Sequence, residues 1–140
     1  MAGAGNEYAF ALVRAYYLTG DESFLDWALT NWDAQLGNNA LSRSYITGLG
    51  YNRVKRPLHK PSLALNPREP VPGLHVNGPA AMIAYANSVN MNSYPENKFY
   101  PDTRKFIDEP LPNISEPDID RMAIVAMSLS PFLTEKRSER

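Results

Sequence analysis

The sequence contains no cysteine, which excludes both a disulfide framework and a zinc–thiolate site. Histidine is nearly as scarce. His59 and His75 are the only two, and without a local His pair a zinc site has no support. No run of about 18 apolar residues occurs, so no helical membrane span is expected. A dominant charge is missing too: the net charge of −1 gives no overall positive field to collect phosphates, which argues against a nucleic-acid partner. The opening residues MAGAGNEY have neither a basic n-region nor an apolar h-region, so they do not read as a signal peptide. No glycine-rich phosphate loop follows a strand pattern, and no G-x-S-x-G elbow is present.

What the sequence does have is twelve prolines and eight glycines, mostly between Gly37 and Pro117. The middle of the chain therefore reads as irregular structure framed by helices. Residues Asn6 to Leu18 predict a helix with Asn6 as N-cap. Tyr8, Phe10, Leu12, Val13, Tyr16 and Leu18 leave it almost no polar face, so burial on nearly every side is expected. Thr19-Gly20-Asp21 forms the turn. A second helix follows from Glu22 to Gln35, with Leu25, Ala28, Leu29, Trp32 and Leu36 on one stripe and Gly37 as its stop. Together these make an antiparallel helical hairpin.

No period persists from Asn38 to Asn77, and Pro57, Pro61, Pro67, Pro70 and Pro72 would interrupt a helix. A short helix is expected over Pro79 to Asn87. A second irregular stretch then runs from Ser88 to Ile114 and carries Tyr94, Phe99, Tyr100 and Phe106. The last helix is expected to start at Ser115, paired with Asp118 as a capping box, with Pro117 in the first turn and Pro131 as the end.

The stretch Leu36 to Ser62 organises the rest. A loop of that length does something or it is rare, and loops on a rigid helical frame are where binding and catalysis gather. Arg53-Val54-Lys55-Arg56 reads first as a solvated loop face. Tyr45, Tyr51, Tyr94, Tyr100 and the Trp27/Trp32 pair offer flat faces to sugar rings, with core packing as the competing reading. Glu116 reads either as a first-turn acid favoured by the helix dipole or as a proton donor.

Leu36-Gly37, Asn39, Ser44-Tyr45, Thr47-Gly48 and Gly50 resemble a segment of glycoside hydrolase family 9, the inverting endoglucanase (cellulase) family. Pro57-Leu58-His59-Lys60 is similar to that family's Pro-His-His-Arg. Pro72 to Pro79 is similar to its Pro-Gly-x-Leu-Val-Gly-Gly-Pro, Phe106-Ile107-Asp108-Glu109 to its Tyr-Val-Asp-Asp, and Ser115-Glu116 to its Asn-Glu. The resemblance implies an all-α fold: the C-terminal portion of an (α/α)6 barrel, with helical hairpins and long irregular loops. It implies that residues 1–140 are part of a larger catalytic domain whose remainder lies upstream.

Carried over residue by residue, Glu116 takes the general acid's position and Asp108 that of the signature aspartate, the two catalytic carboxyls of this segment. Tyr45, Arg53, His59 and Lys60 are expected to line sugar subsites. The substrate implied is an oligo- or polysaccharide of β-linked glucose, with an amino-sugar hydrolase of the same family, or a non-catalytic glycan binder, as alternatives. No cofactor and no metal site are implied, and a secreted or periplasmic location follows. Leu58, Lys60 and Met122 depart from the pattern at its first histidine, its arginine and a later asparagine. The family's base, in an Asp-x-x-Asp block, has no counterpart here, so this chain alone is expected to be inactive.

Overall fold

The computed structural model describes residues 5–65, 69–79, 106–112 and 114–133. Four helices lie among them: α1 (Gly5–Thr19), α2 (Ser23–Gln35), α3 (Lys60–Leu65) and α4 (Ile119–Leu133). The expected helix over Pro79 to Asn87 falls, apart from Pro79, outside the described residues, as do Tyr94, Phe99 and Tyr100.

α1 and α2 form the expected hairpin, and α1 also packs on α4. Ala9, Trp32 and Ile46 are buried where these elements meet, with Leu36, Val125, Leu129 and Phe132 packed around them. Asn6 lies inside α1 rather than capping it. The expectation that α1 is buried all round is corrected: among its residues from Tyr8 on, only Ala9 and Val13 are buried, while Tyr8, Tyr17 and Leu18 face outward. The described part of the chain has one hairpin partner and α4 to offer this helix, too little to cover a nearly all-apolar cylinder.

α3 was not expected. Pro61 is its second residue, and in a first turn the missing N–H has no helical partner to lose. α4 starts four residues later than the capping-box reading placed it. Ser115 does not cap the helix, because its hydroxyl donates to the Glu109 carbonyl and accepts the Leu111 N–H. Asp118 caps instead: its Oδ1 accepts the Asp120 N–H at 3.0 Å. Pro131 lies within α4 rather than ending it. Proline there removes the N–H that would reach Met127 four residues back. The Ser130 hydroxyl donates to that same carbonyl at 2.8 Å, so it is not left unpaired.

The second core lies entirely in irregular chain. Tyr45, Val54, Val76, Phe106, Ile107 and Ile114 form one buried cluster. Around it, extended segments lie side by side. Ile46 bridges His75 and Val76 bridges Pro117, both antiparallel. Thr47 N–H donates to the Leu74 carbonyl at 2.9 Å, Val76 N–H to Tyr45 at 2.9 Å, Gly78 N–H to Ile114 at 2.9 Å and Leu58 N–H to Ser115 at 2.9 Å. The order across this stack is 45–47, 73–78, 114–117, 57–58.

Candidate functional site

The long loop is anchored where α2 ends. A helix end leaves carbonyls without partners, and here the loop supplies the donors. Tyr45 N–H reaches the Gln35 carbonyl at 3.0 Å and Tyr51 N–H reaches Leu36 at 2.8 Å. The Asn39 amide donates to the Ala34 and Arg43 carbonyls at 2.6 and 2.7 Å, and its oxygen accepts the Leu41 N–H at 3.0 Å. Gly50 (φ +75°) runs so close to the Leu36 carbonyl and Ser44 that a Cβ has no room, and Gly48 (φ +76°) stands against Pro72 in the same way. The glycines of the Thr-Gly-x-Gly segment are thus where the loop returns onto the helix end and meets the 70–73 segment.

His75 fastens the stack to α2 from inside. Its Nε2 lies 2.9 Å from the Gln35 Oε1, and since an amide oxygen only accepts, Nε2 donates. The ring is 1% exposed. Burial, reinforced by the positive charge of Arg121, pushes its pKa down to about 4, so it is neutral near pH 7. His75 stands at the leucine of the family pattern; a histidine there with a glutamine at the end of α2 was the available signal for the pair, and sequence reasoning missed it.

Asp108 occupies the centre of a clasp. Both of its oxygens receive the Lys55 N–H, at 3.0 and 3.1 Å. Oδ1 also accepts the Arg56 N–H at 2.9 Å, and Oδ2 the Arg43 guanidinium at 3.1 Å. Arg56 continues the clasp through an ion pair with Glu109 at 2.6 Å. The basic run is therefore a loop face with Val54 turned inward at 1% exposure. Arg43, which also lies over the Phe106 ring, was not singled out in the sequence.

Glu116 is half-buried, one residue before the Val76–Pro117 bridge. Its carbonyl accepts the Asn77 N–H at 3.1 Å, while the preceding carbonyl, that of Ser115, accepts the Leu58 N–H. It precedes α4 by three residues, so the helix-dipole reading applies to Asp118 and not to Glu116. His59 follows Leu58 directly, and its Nδ1 lies 2.8 Å from the Ser62 hydroxyl. The structure thus brings the His59 and Glu116 segments together through main-chain atoms. The 73–77 segment lies between Glu116 and the Tyr45 segment.

The other expected site residues divide. Arg53 is exposed and, with Lys55, Glu69 and Val71, lines a cleft of ≈590 Å³. Lys60 is exposed at the start of α3. Tyr45 is only 7% exposed: its ring packs on Phe106, with centroids 5.7 Å apart, and lies beside Gly78. Burial pushes its hydroxyl pKa up to about 12. It therefore presents no open face for stacking on a sugar, and this expectation is corrected. Trp32 is likewise a core residue, while Trp27 and Tyr51 are exposed. Among the described residues, no group of three or more acidic or histidine side chains is arranged to hold a metal ion.

Comparison with known proteins identifies the fold and the family. The sequence profile described as glycosyl hydrolase family 9 matches residues 2–126. A 69-residue stretch is 41% identical to the xyloglucan-specific endo-β-1,4-glucanase BoGH9A of Bacteroides ovatus, covering 49% of this chain and 12% of that enzyme. Among solved structures, a metagenome-derived family 9 endoglucanase superposes on 93% of this chain with a TM-score of 0.70 at 29% identity. The Bacteroides ovatus family 9 protein does so on 91% with a TM-score of 0.67 at 27% identity. The cellulase Cel9M of C. cellulolyticium, solved in complex with cellobiose, shares the fold over 94% of this chain with a TM-score of 0.59 at 21% identity. This chain spans 22%, 20% and 29% of those three. The helices and loops described above are thus a portion of an (α/α)6 barrel, and the chain belongs to glycosyl hydrolase family 9.

Proposed function

We propose that this chain supplies the general acid and one wall of the sugar cleft for hydrolysis of a β-1,4-glucan with inversion. The observation that supports the reading is the main-chain bond between Leu58 and Ser115, which makes the chain at His59 and the chain at Glu116 neighbours in the loop stack. In this reading the Glu116 carboxyl gives its proton to the glycosidic oxygen as the bond breaks. A water attacks the opposite face of the sugar, activated by a carboxylate about 6.5–9.5 Å from the acid. Asp108 is not that base, because its oxygens are already filled by two backbone N–H groups and a guanidinium. Its part is to hold the Arg53–Arg56 loop that lines the cleft. The base comes from polypeptide outside this chain, and the chain by itself does not hydrolyse glycans.

The exposed apolar side chains of the helices fit the same reading. Leu18, Trp27, Ile119 and Leu133 face the remaining helices of the barrel. Arg53, His59 and Lys60 line the sugar path, and Tyr45 supports it from beneath. The similarity to a xyloglucan-specific enzyme favours a neutral glucan over an amino sugar. A polymeric substrate of this kind places the enzyme in the periplasm or outside the cell.

The test is Glu116→Gln in the whole catalytic domain. Hydrolysis of cello-oligosaccharides should fall by about 10²–10⁴-fold, the usual contribution of a general acid. Hydrolysis of an aryl β-cellobioside with a dinitrophenolate leaving group, which departs without a proton, should fall far less. Equal loss on both substrates, or no loss on either, overturns the acid role. Preference for chitosan-oligosaccharides over cello-oligosaccharides would overturn the neutral-glucan assignment.

A further inference from the structure

His59 is the residue before α3, and its ring is turned back onto that helix. The Ser62 backbone N–H donates to Nδ1 at 3.3 Å. A backbone N–H can only donate, so Nδ1 carries a lone pair and no proton. The Ser62 hydroxyl lies 2.8 Å from the same nitrogen, and its own oxygen accepts the Val71 N–H at 3.1 Å. With a lone pair of that oxygen engaged by Val71, the hydroxyl proton is directed at Nδ1. Ser62 is 3% exposed, so water does not compete for these contacts.

We propose that Ser62 is a positioning residue that fixes His59 as the Nε2–H tautomer, so that the ring presents a donor and not an acceptor to a sugar oxygen. The second nitrogen of a histidine is set by the bond that the first one makes, and here the first is closed by two donors from one buried serine. Val71 belongs to the cleft wall that includes Arg53. Ser62 therefore ties three things together: the ring, the start of α3 and the wall of the cleft. A donor at Nε2 selects an oxygen lone pair, on a hydroxyl or ring oxygen of the sugar. This rests on the reading of His59 as a subsite residue, but the tautomer itself does not.

The tautomer is read directly, without catalysis, by long-range ¹H–¹⁵N correlation on the imidazoles of the ¹⁵N-labelled chain at about pH 8, where an ordinary imidazole is neutral. His59 should show a protonated Nε2 and a bare Nδ1. Ser62→Ala should move the ring toward a mixture of the two forms, and Ser62→Thr, which keeps the hydroxyl, should restore it. In the whole catalytic domain Ser62→Ala should raise KM for cello-oligosaccharides at least 5-fold (about 1 kcal/mol) and leave kcat within about 2-fold, with Ser62→Thr recovering KM. A wild-type His59 protonated at Nδ1 overturns the proposal, whether or not the alanine variant folds. So does a Ser62→Ala protein with an unchanged ring and unchanged KM. If instead the tautomer is as stated but Glu116→Gln hydrolyses like wild type, the glycosidase reading fails and the tautomer assignment stands.

Discussion

Among the described residues, the irregular segments hold more of the fully buried core than the helices do. Val54, Val76, Ile107 and Ile114 all sit in loops and are at most 1% exposed, whereas α1, α2 and α4 leave Leu18, Trp27, Ile119 and Leu133 between 63% and 84% exposed. Loop backbone normally lies at the surface because its polar groups need water. Here neighbouring segments and the end of α2 satisfy those groups, so the loops can enclose a core. The helices satisfy their own backbones and keep their apolar faces for surfaces not present among the described residues. Local regularity and burial are thus separate properties, and the cleft is built from described loop segments that carry a buried core.

This contrast can be broken by mutation. The largest effect should come from Ile107→Ala, which empties a fully buried site in the loop core and should cost about 2–5 kcal/mol in urea unfolding. A small loss there would mean the loop core is loose. Gly50→Ala should follow at about 2 kcal/mol or more. The new methyl group meets the Leu36 carbonyl from a left-handed backbone conformation, adding overpacking to torsional strain.

His75 gives the contrast a pH signature. Its folded pKa of about 4 lies below its ordinary 6.5, so the folded state prefers the neutral ring. Its contribution is full above about pH 6.5 and is lost as pH falls toward 4, on the order of 3 kcal/mol in all. Unfolding midpoints measured from pH 7 to pH 4.5 should show the slope, and His75→Gln, which cannot titrate, should reduce it. Asp108→Ala should speed amide exchange at Lys55 and Arg56, while Asp108→Asn, which keeps one accepting oxygen, should change it much less. Smallest of all, Leu18→Lys should move stability by no more than about 0.5 kcal/mol in this chain. A large loss there would show that the α1 face is already covered.

The sequence pattern located what depends on near neighbours. The hairpin came within a residue or two of its observed ends, because Leu36-Gly37 and Thr19-Gly20-Asp21 encode their stops locally. The four family-like blocks marked the loop and Glu116. What it missed depends on partners that the local pattern does not reveal, some of them far along the chain. Ser115 looks like a cap until Glu109 and Leu111 engage its hydroxyl. Asp108 looks like a free carboxyl until Lys55 and Arg56 donate to it from more than fifty residues away. Tyr45 looks like a sugar platform until Phe106 covers it. Pro61 and Pro131 read as breakers, yet the first occupies a turn that needs no N–H and the second has Ser130 answering for it.

The hydrogen bond that joins Leu58 to Ser115 runs from a main-chain amide to a main-chain carbonyl. Any residue except proline at position 58 keeps that donor. A leucine can therefore replace the pattern's histidine without disturbing the seat of Glu116. Under the proposed function, substrate preference can drift at this point of the architecture while the placement of Glu116 is kept.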